Sequence, residues 1–336
     1  DSFECTATLT GVEPGTTHED VSSVAAVGAF TGNPVTDDNP YHATRPKPLV
    51  SIVKGDAAGN AADTEADKVG LVDGSTGLVY EVTNTGTEAL VDVTVGDTVV
   101  ANGTVSGLSC DFSGLGGPAT GTTWAGPFAV GASFPCTAAL SGVSAQGPTH
   151  QDVADVAGFG AVTGIKVTDD NPYFAWTPVE TIEIVKKDDA GHDADTPEGA
   201  VVLPDGSTGL VMTITNTGTV DLADVVVSDV VVTGGTVGGL SCDFSGLGGP
   251  ATGTSWAGPF AAGDSFECTA TLTGVEPGTT QGEVSSVTAV GAYSGKPVTD
   301  KNPYHAKRPP QTPPLPHTGA FGIGSYVALG LVLLLA

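Results

Sequence analysis

The feature that most constrains this chain is a long internal repeat. Residues Asp1 to Pro46, DSFECTATLTGVEPGTTHEDVSSVAAVGAFTGNPVTDDNPYHATRP, return almost verbatim from Asp264 to Pro309. A more divergent copy starts at Ala132 and carries the same landmarks through VTDDNPYFAWTP. The period is about 131 residues, and Cys110/Cys242 and Ile52/Ile184 repeat at the same spacing. One period is the size of a whole domain, whereas solenoid units of a few dozen residues need neighbours to bury a core. The 336 residues therefore read as the C-terminal part of one repeat over 1–46, full repeats over 47–178 and 179–309, and a different tail over 310–336. The chain opens without a Met or signal peptide and stops inside an apolar run, so a fragment of a longer reading frame is expected.

Within a repeat the periodicity is two. Leu78, Tyr80 and Val82 recur at every second position in GLVYEVTNTG, with Glu81 and Thr83 among the residues between and after them, and Leu210, Met212 and Ile214 repeat the pattern. Val91, Val93 and Val95 follow, with Asp92, Thr94 and Asp97 read as the polar positions around them. Alternation bounded by Asn-Thr-Gly and Asp-Gly turns is the mark of half-buried antiparallel strands. No helical period competes with it. With 48 Gly and 23 Pro to make turns, the expected class is all-β: tandem immunoglobulin-like β-sandwich domains, with a hydrophobic sorting helix at the C-terminus. Trp124, Phe128, Trp256 and Phe260 are the bulky core candidates.

The charge narrows the function. A formal net charge of −27 repels phosphate backbones, which excludes nucleic acid as a partner. Yet 40% of the residues are hydrophobic and only 15% charged, too apolar for a disordered acidic tail.

The five cysteines follow the repeat. Cys110 and Cys136 have the same separation as Cys242 and Cys268, and Cys5 matches the second member of the pair. Disulfides Cys110–Cys136 and Cys242–Cys268 are expected, with the partner of Cys5 absent from this sequence. A zinc site would need a knuckle or neighbouring His that the sequence does not offer. Disulfides imply an oxidising, extracellular compartment.

After Pro309 the sequence becomes PQTPPLPHTGAFGIGSYVALGLVLLLA. Leu315, Pro316, His317, Thr318 and Gly319 resemble the LPxTG sorting signal of Gram-positive surface proteins, with a Pro-rich spacer before it and an apolar run from Ala320 to Ala336 after it. The run is shorter than the ~20 residues that span a bilayer, and the usual basic cluster does not follow, both consistent with truncation. The resemblance implies that a sortase thiolate attacks the Thr318 carbonyl, releases Gly319 onward and passes the acyl group to a peptidoglycan amine. Pro316 keeps the backbone extended and Gly319 is an unhindered leaving amine. The implied partners are sortase, peptidoglycan and, before cleavage, the membrane through the C-terminal segment. The implied location is the cell wall of a Gram-positive bacterium.

The repeats themselves, through VYEVTNTGTEALVDVTVGD and VMTITNTGTVDLADVVVSD, a following Cys, SFECTATL, and SSVAAVGAFTGNPVTDDNP, resemble the DUF11-like and DUF7507-type repeats of bacterial surface proteins, especially actinobacterial ones. That resemblance implies immunoglobulin-like sandwiches strung as a stalk and brings no catalytic residues.

Acidic clusters recur at repeat ends and starts: Asp37 and Asp38 with Asp56 and Asp63, then Asp169 and Asp170 with Asp188 and Asp195. Carboxylates from both sides of a junction are candidate Ca²⁺ ligands; turns also collect Asp and Asn without any metal. Lys54 and Lys186, at equivalent places in the opening strands, resemble the Lys–Asn isopeptide positions of some Gram-positive adhesins, with Asn84 and Asn216, or Asn39 and Asn171, as partners. An exposed Lys at a strand end is the preferred reading there. The loops SGLGGPATGTTWAGPF and SGLGGPATGTSWAGPF lack the Lys-Ser/Thr ending of a phosphate loop. His18 and His150 give way to Gln281 in the third copy, unlike a ligand or catalytic base, and Tyr41, Tyr173 and Tyr304 are expected to pack at domain junctions.

Together these readings predict a non-enzymatic, sortase-anchored surface protein whose sandwiches form a stalk. The alternative is an adhesin that binds a host or carbohydrate ligand; a third class is an anchor for an extracellular enzyme.

Overall fold

A computed structural model of the chain describes residues 1–312. The expected sorting helix and the residues Leu315 to Gly319 lie outside the described residues. The chain divides into two compact units, Asp1–Val179 and Glu180–Ala336. Apart from short 3-10 turns, every regular element among the described residues is a strand.

The first unit opens with a hairpin of β1 (Thr17–Val27) and β2 (Pro34–Thr44). Its full repeat then runs β3 (Val50–Asp56), β4 (Val69–Gly70), β5 (Thr76–Asn84), β6 (Leu90–Ala101), β7 (Thr104–Cys110), β8 (Thr123–Trp124), β9 (Ser133–Ser141), β10 (His150–Gly160) and β11 (Lys166–Trp176). One sheet has the order β3-β5-β9-β7 and the other β4-β11-β10-β6-β8. Lettering the seven long strands A to G in chain order gives sheets A-B-E-D and G-F-C, the strand order of a constant-type immunoglobulin domain. The two-residue strands β4 and β8 extend the second sheet at its edges.

The second unit repeats this build with β12 (Ile182–Asp188), β13 (Val201–Val202), β14 (Thr208–Asn216), β15 (Leu222–Thr233), β16 (Thr236–Asp243), β17 (Ser255–Trp256), β18 (Ser265–Thr273), β19 (Thr280–Gly291) and β20 (Pro297–Lys307). Its sheets are β12-β14-β18-β16 and β13-β20-β19-β15-β17.

The alternation seen in the sequence is the alternation of burial. Along β5, Leu78, Tyr80, Val82 and Asn84 face inward while Val79 and Glu81 are exposed. Between the sheets Phe112, Trp124, Phe128 and Phe134 form an aromatic cluster with centroids 4.6–6.3 Å apart. Phe244, Phe260 and Phe266 repeat it, and Trp256, only half-buried, packs against them from the rim. Disulfides Cys110–Cys136 and Cys242–Cys268 staple directly paired residues of strands D and E. They lie within one sheet, unlike the inter-sheet bridge of antibody domains.

One expectation on β6 is corrected. Asp92 adopts a left-handed conformation at φ 51, which a short polar side chain tolerates, and the pairing with β10 slips at that level. Such a bulge resets the alternation. Val93 and Val95 are buried, Val91 only half so, and the next inward position is Asp97.

The hairpin of β1 and β2 forms a two-stranded sheet of its own. Val24 and Tyr41 are 51% and 57% exposed, whereas their counterparts Val287 and Tyr304 are fully buried. Ser2–Thr10 forms no strand, although the same SFECTATLT at Ser265–Thr273 is β18, paired on both sides by β14 and β16. The equivalents of those two partners are not in this sequence. Cys5 is accordingly free and exposed.

Candidate functional site: a buried lysine between two carboxylates

Strand A carries the chemistry. In β3 the inward positions are Val50, Ile52, Lys54 and Asp56, and in β12 they are Ile182, Ile184, Lys186 and Asp188. The lysines thus occupy core positions, not the exposed strand end expected from the sequence. Both side chains have no exposure to solvent. A buried ammonium needs charged partners, and two supply them from the opposite sheet. Lys54 Nζ lies 2.7 Å from Asp97 Oδ2 on β6 and 2.5 Å from Asp152 Oδ1 on β10. Lys186 Nζ lies 2.6 Å from Asp229 Oδ2 on β15 and 2.6 Å from Glu283 Oε1 on β19.

The surroundings of the two clusters differ in a graded way. Tyr80 donates to Asp97 Oδ2 at 2.5 Å, and its ring and that of Tyr173 stand 5.4 and 5.9 Å from Lys54 Nζ. Burial, then the hydrogen bond to Asp97 and the charges of Asp97 and Asp152, push the Tyr80 hydroxyl far above its ordinary pKa. In the second unit Met212 replaces Tyr80. His150, 3.3 Å from Asp152, is replaced by Gln281, which donates to Glu283 at 3.2 Å. Burial raises the Glu283 carboxyl despite the attraction of Lys186.

The Asn partners expected for the lysines do other work. Asn84 Nδ2 donates to the carbonyls of Glu88 and Phe128 at 2.9 and 2.8 Å, and its Oδ1 accepts from Gly86 N–H. Asn216 makes the same corner bonds to Val220, Phe260 and Gly218. Asn39 is exposed on β2. Asn171 meets the backbone of Lys54 instead of its amine: its Oδ1 accepts Lys54 N–H at 2.9 Å.

That contact explains the acidic signature at repeat ends. Asp169 Oδ2 accepts Ile52 N–H at 2.9 Å, two residues before the Lys54 bond. In the second unit Asp300 and Asn302 accept from Ile184 and Lys186 at the same distances. Asp-x-Asn on strand G is thus a clasp on strand A, supplying acceptors to N–H groups that an edge strand would otherwise leave unpaired. The intervening residue, Asp170 or Lys301, is exposed.

Asp56 and Asp188 are likewise occupied inside their own units. Asp56 accepts from Ala58 N, Asn60 N, Asn60 Nδ2 and Tyr173 Oη at 2.8–3.1 Å. Burial would raise its pKa, but these bonds outweigh it and hold the carboxyl below the usual range. Asp188 is held the same way by Ala190, His192 and Tyr304. Tyr173 and Tyr304 are therefore core residues that anchor the A–B turn, not the junction packing expected for them. Asp37, Asp38, Asp63 and Asp195 are exposed. Among the described residues no group of three or more His, Cys, Asp or Glu side chains is placed to share a metal ion. Of the expected calcium ligands, Asp56 and Asp188 thus serve turns and Asp169 the strand clasp.

Sequence reasoning missed Asp152, Glu283 and the inward setting of Asp97. The i, i+2 alternation from Val50 and Ile52 already points Lys54 inward. The pairing of His150 with Asp152 and of Gln281 with Glu283 two residues apart was the matching signal on strand F.

No family model and no curated protein matches the chain, so the DUF11-like and DUF7507-type resemblance stands on the quoted motifs. Solved structures similar to it include the C-terminal domain of the Streptococcus agalactiae antigen I/II polypeptide BspA. That match has 11% identity, a TM-score of 0.37, and covers 77% of this chain and 100% of that one. The C-terminal domain of the Streptococcus pyogenes antigen I/II-family protein AspA matches at 10% identity and TM-score 0.36, over 77% and 99% of the two chains. The major pilin subunit of Bacillus cereus matches at 9% identity and TM-score 0.32, over 66% and 70%. At these scores the function has to be argued from the residues of this chain.

Proposed function

We propose that the chain is a secreted, cell-wall-anchored surface protein of a Gram-positive bacterium, a sortase substrate whose sandwich repeats act as a structural stalk. The observation that carries this reading is the coincidence of Leu315-Pro316-His317-Thr318-Gly319 with a Pro-rich spacer and an apolar run, placed directly after domain-sized repeats. Each full repeat has its own closed core and its own disulfide, as modules in series require. Its most reactive groups, the lysines and their carboxylates, are sealed from any external substrate. They serve the domain that contains them.

The reading makes Thr318 the residue that becomes covalently attached. Thr318→Ala in the full-length protein is expected to move it from the wall fraction to the membrane and medium. Unchanged wall-bound protein after muramidase release would refute the sorting role.

A further inference from the structure

We infer that each full repeat closes an amide bond between its strand A lysine and its strand C aspartate, Lys54 to Asp97 and Lys186 to Asp229. The inference stands on the geometry of the two cores and does not depend on where the protein resides.

Three observations carry it. First, amine and carboxyl are already in contact, 2.7 and 2.6 Å apart, in a pocket with at most 1% side-chain exposure. Holding two reactants at that distance is worth effective concentrations of about 10⁵–10⁸ M. Second, each pocket holds a second acid on the same lysine, Asp152 or Glu283, where a proton relay is needed. Third, both carboxyls of each pocket keep a buried oxygen without a hydrogen-bond partner among the described residues: Asp97 Oδ1 and Asp152 Oδ2 in the first unit, Asp229 Oδ1 and Glu283 Oε1 in the second. Orphaned carboxylate oxygens are costly, and condensation removes one oxygen from the carboxyl that is joined.

The two copies decide which acid is joined. A covalent tie between strands fixes the number of atoms in the link, whereas a proton relay tolerates one methylene more. The strand C position is Asp in both units, Asp97 and Asp229; the strand F position changes from Asp152 to Glu283. The strand C residue is therefore the acceptor and the strand F residue the relay. The raised pKa of Glu283 suits an acid that enters the reaction protonated.

The step balances without an oxidant or co-reactant. Neutral Nζ attacks Asp97 Cγ and a C–N bond forms. The Asp152 carboxyl gives its proton to the departing hydroxyl as the C–O bond breaks, and takes one proton from nitrogen. The products are the amide, one water, and Asp152 in its original state. The same steps with Lys186, Asp229 and Glu283 serve the second unit.

Intact mass of the folded, then denatured and reduced chain tests the proposal directly. Two bonds lower the mass by about 36 Da, one water per bond. Tandem mass spectrometry of the digest should find the Lys54 peptide joined to the Asp97 peptide and the Lys186 peptide to the Asp229 peptide. Asp152→Asn and Glu283→Gln, which preserve side-chain volume, should each restore one water while circular dichroism remains that of a sandwich. A natively folded wild-type chain at its full sequence mass overturns the proposal. A link from lysine to Asp152 or Glu283 overturns the assignment of acceptor and relay, as does full crosslinking in the two relay variants.

Discussion

The strand clasp can be tested quantitatively by the double substitution Asp169→Ala and Asn171→Ala in the first full repeat. It removes the acceptors of Ile52 N–H and Lys54 N–H, each bonded at 2.9 Å, from residues only 3% and 1% exposed. Each buried N–H left without an acceptor costs about 1–3 kcal/mol. Water entering at the truncated edge recovers part of that, which leaves a net loss of about 2–3 kcal/mol for the pair. Local opening of strand A should then become about 30- to 150-fold more frequent. Hydrogen exchange read by mass spectrometry on a peptide covering residues 50–56 measures this. The peptide covering 182–188, with its clasp of Asp300 and Asn302 intact, is an internal reference in the same molecule. Asp170→Ala, between the two clasp residues but exposed, should change exchange by less than a factor of about 3, as surface substitutions do. Equal protection of the two peptides in the double variant would refute the clasp.

Three further outcomes are expected. Reducing Cys110–Cys136 opens a loop of sequence separation 26, so the first unit should lose roughly 3 kcal/mol, seen as a lower urea midpoint in reductant. Phe128→Ala and Phe260→Ala, each removing a fully buried ring, should each cost about 3–5 kcal/mol in the same assay. Acid should weaken the second unit through Asp188: its folded pKa lies below the ordinary 3.8, so its contribution is present above that value and is lost as pH falls through the folded pKa. Asp188→Asn should flatten the acid limb of the stability curve, and an unchanged slope would show that Asp188 is not its source. Glu283, whose pKa is raised, has the opposite sign: its contribution is complete below the ordinary 4.5 and fades as pH rises through the folded value.

The strands and the sandwich class were legible because alternation and burial are the same pattern: Leu78, Tyr80 and Val82 in the sequence are one inward face in the fold. The cysteines were legible because the repeat reproduced their spacing. The buried cluster was not, for a physical reason. Charged residues are read as surface by default, and only an account of both facing sheets shows that Lys54 meets Asp97 and Asp152 from across the core. Asp97 continues the inward alternation of Val93 and Val95, yet its charge made it read as a surface position. The Asp-x-Asn signature was visible, but sequence alone does not distinguish an acceptor for metal from an acceptor for a strand edge. The structure does, because Ile52 and Lys54 N–H groups point at it.

These devices converge on strand A. It is an edge strand of its sheet, paired on one side by strand B, and the first element of each repeat to be loaded when tension arrives from the N-terminal side. The disulfide between strands D and E lies at the far edge of that sheet and does nothing to retain strand A. The clasp from strand G holds its free edge by two side-chain acceptors, and Asp56 fastens its end to Tyr173 of the same strand G. The Lys54–Asp97 bond would tie its middle to strand C of the facing sheet, so peeling would have to break a covalent bond and not only a ladder of hydrogen bonds. The order of reinforcement follows from this: in single-molecule extension, Lys54→Ala should convert a repeat that resists unfolding near strand A into one that unravels from it up to the disulfide. Equal unfolding forces and contour lengths for the variant and the wild type would mean that strand A is not where the module bears load.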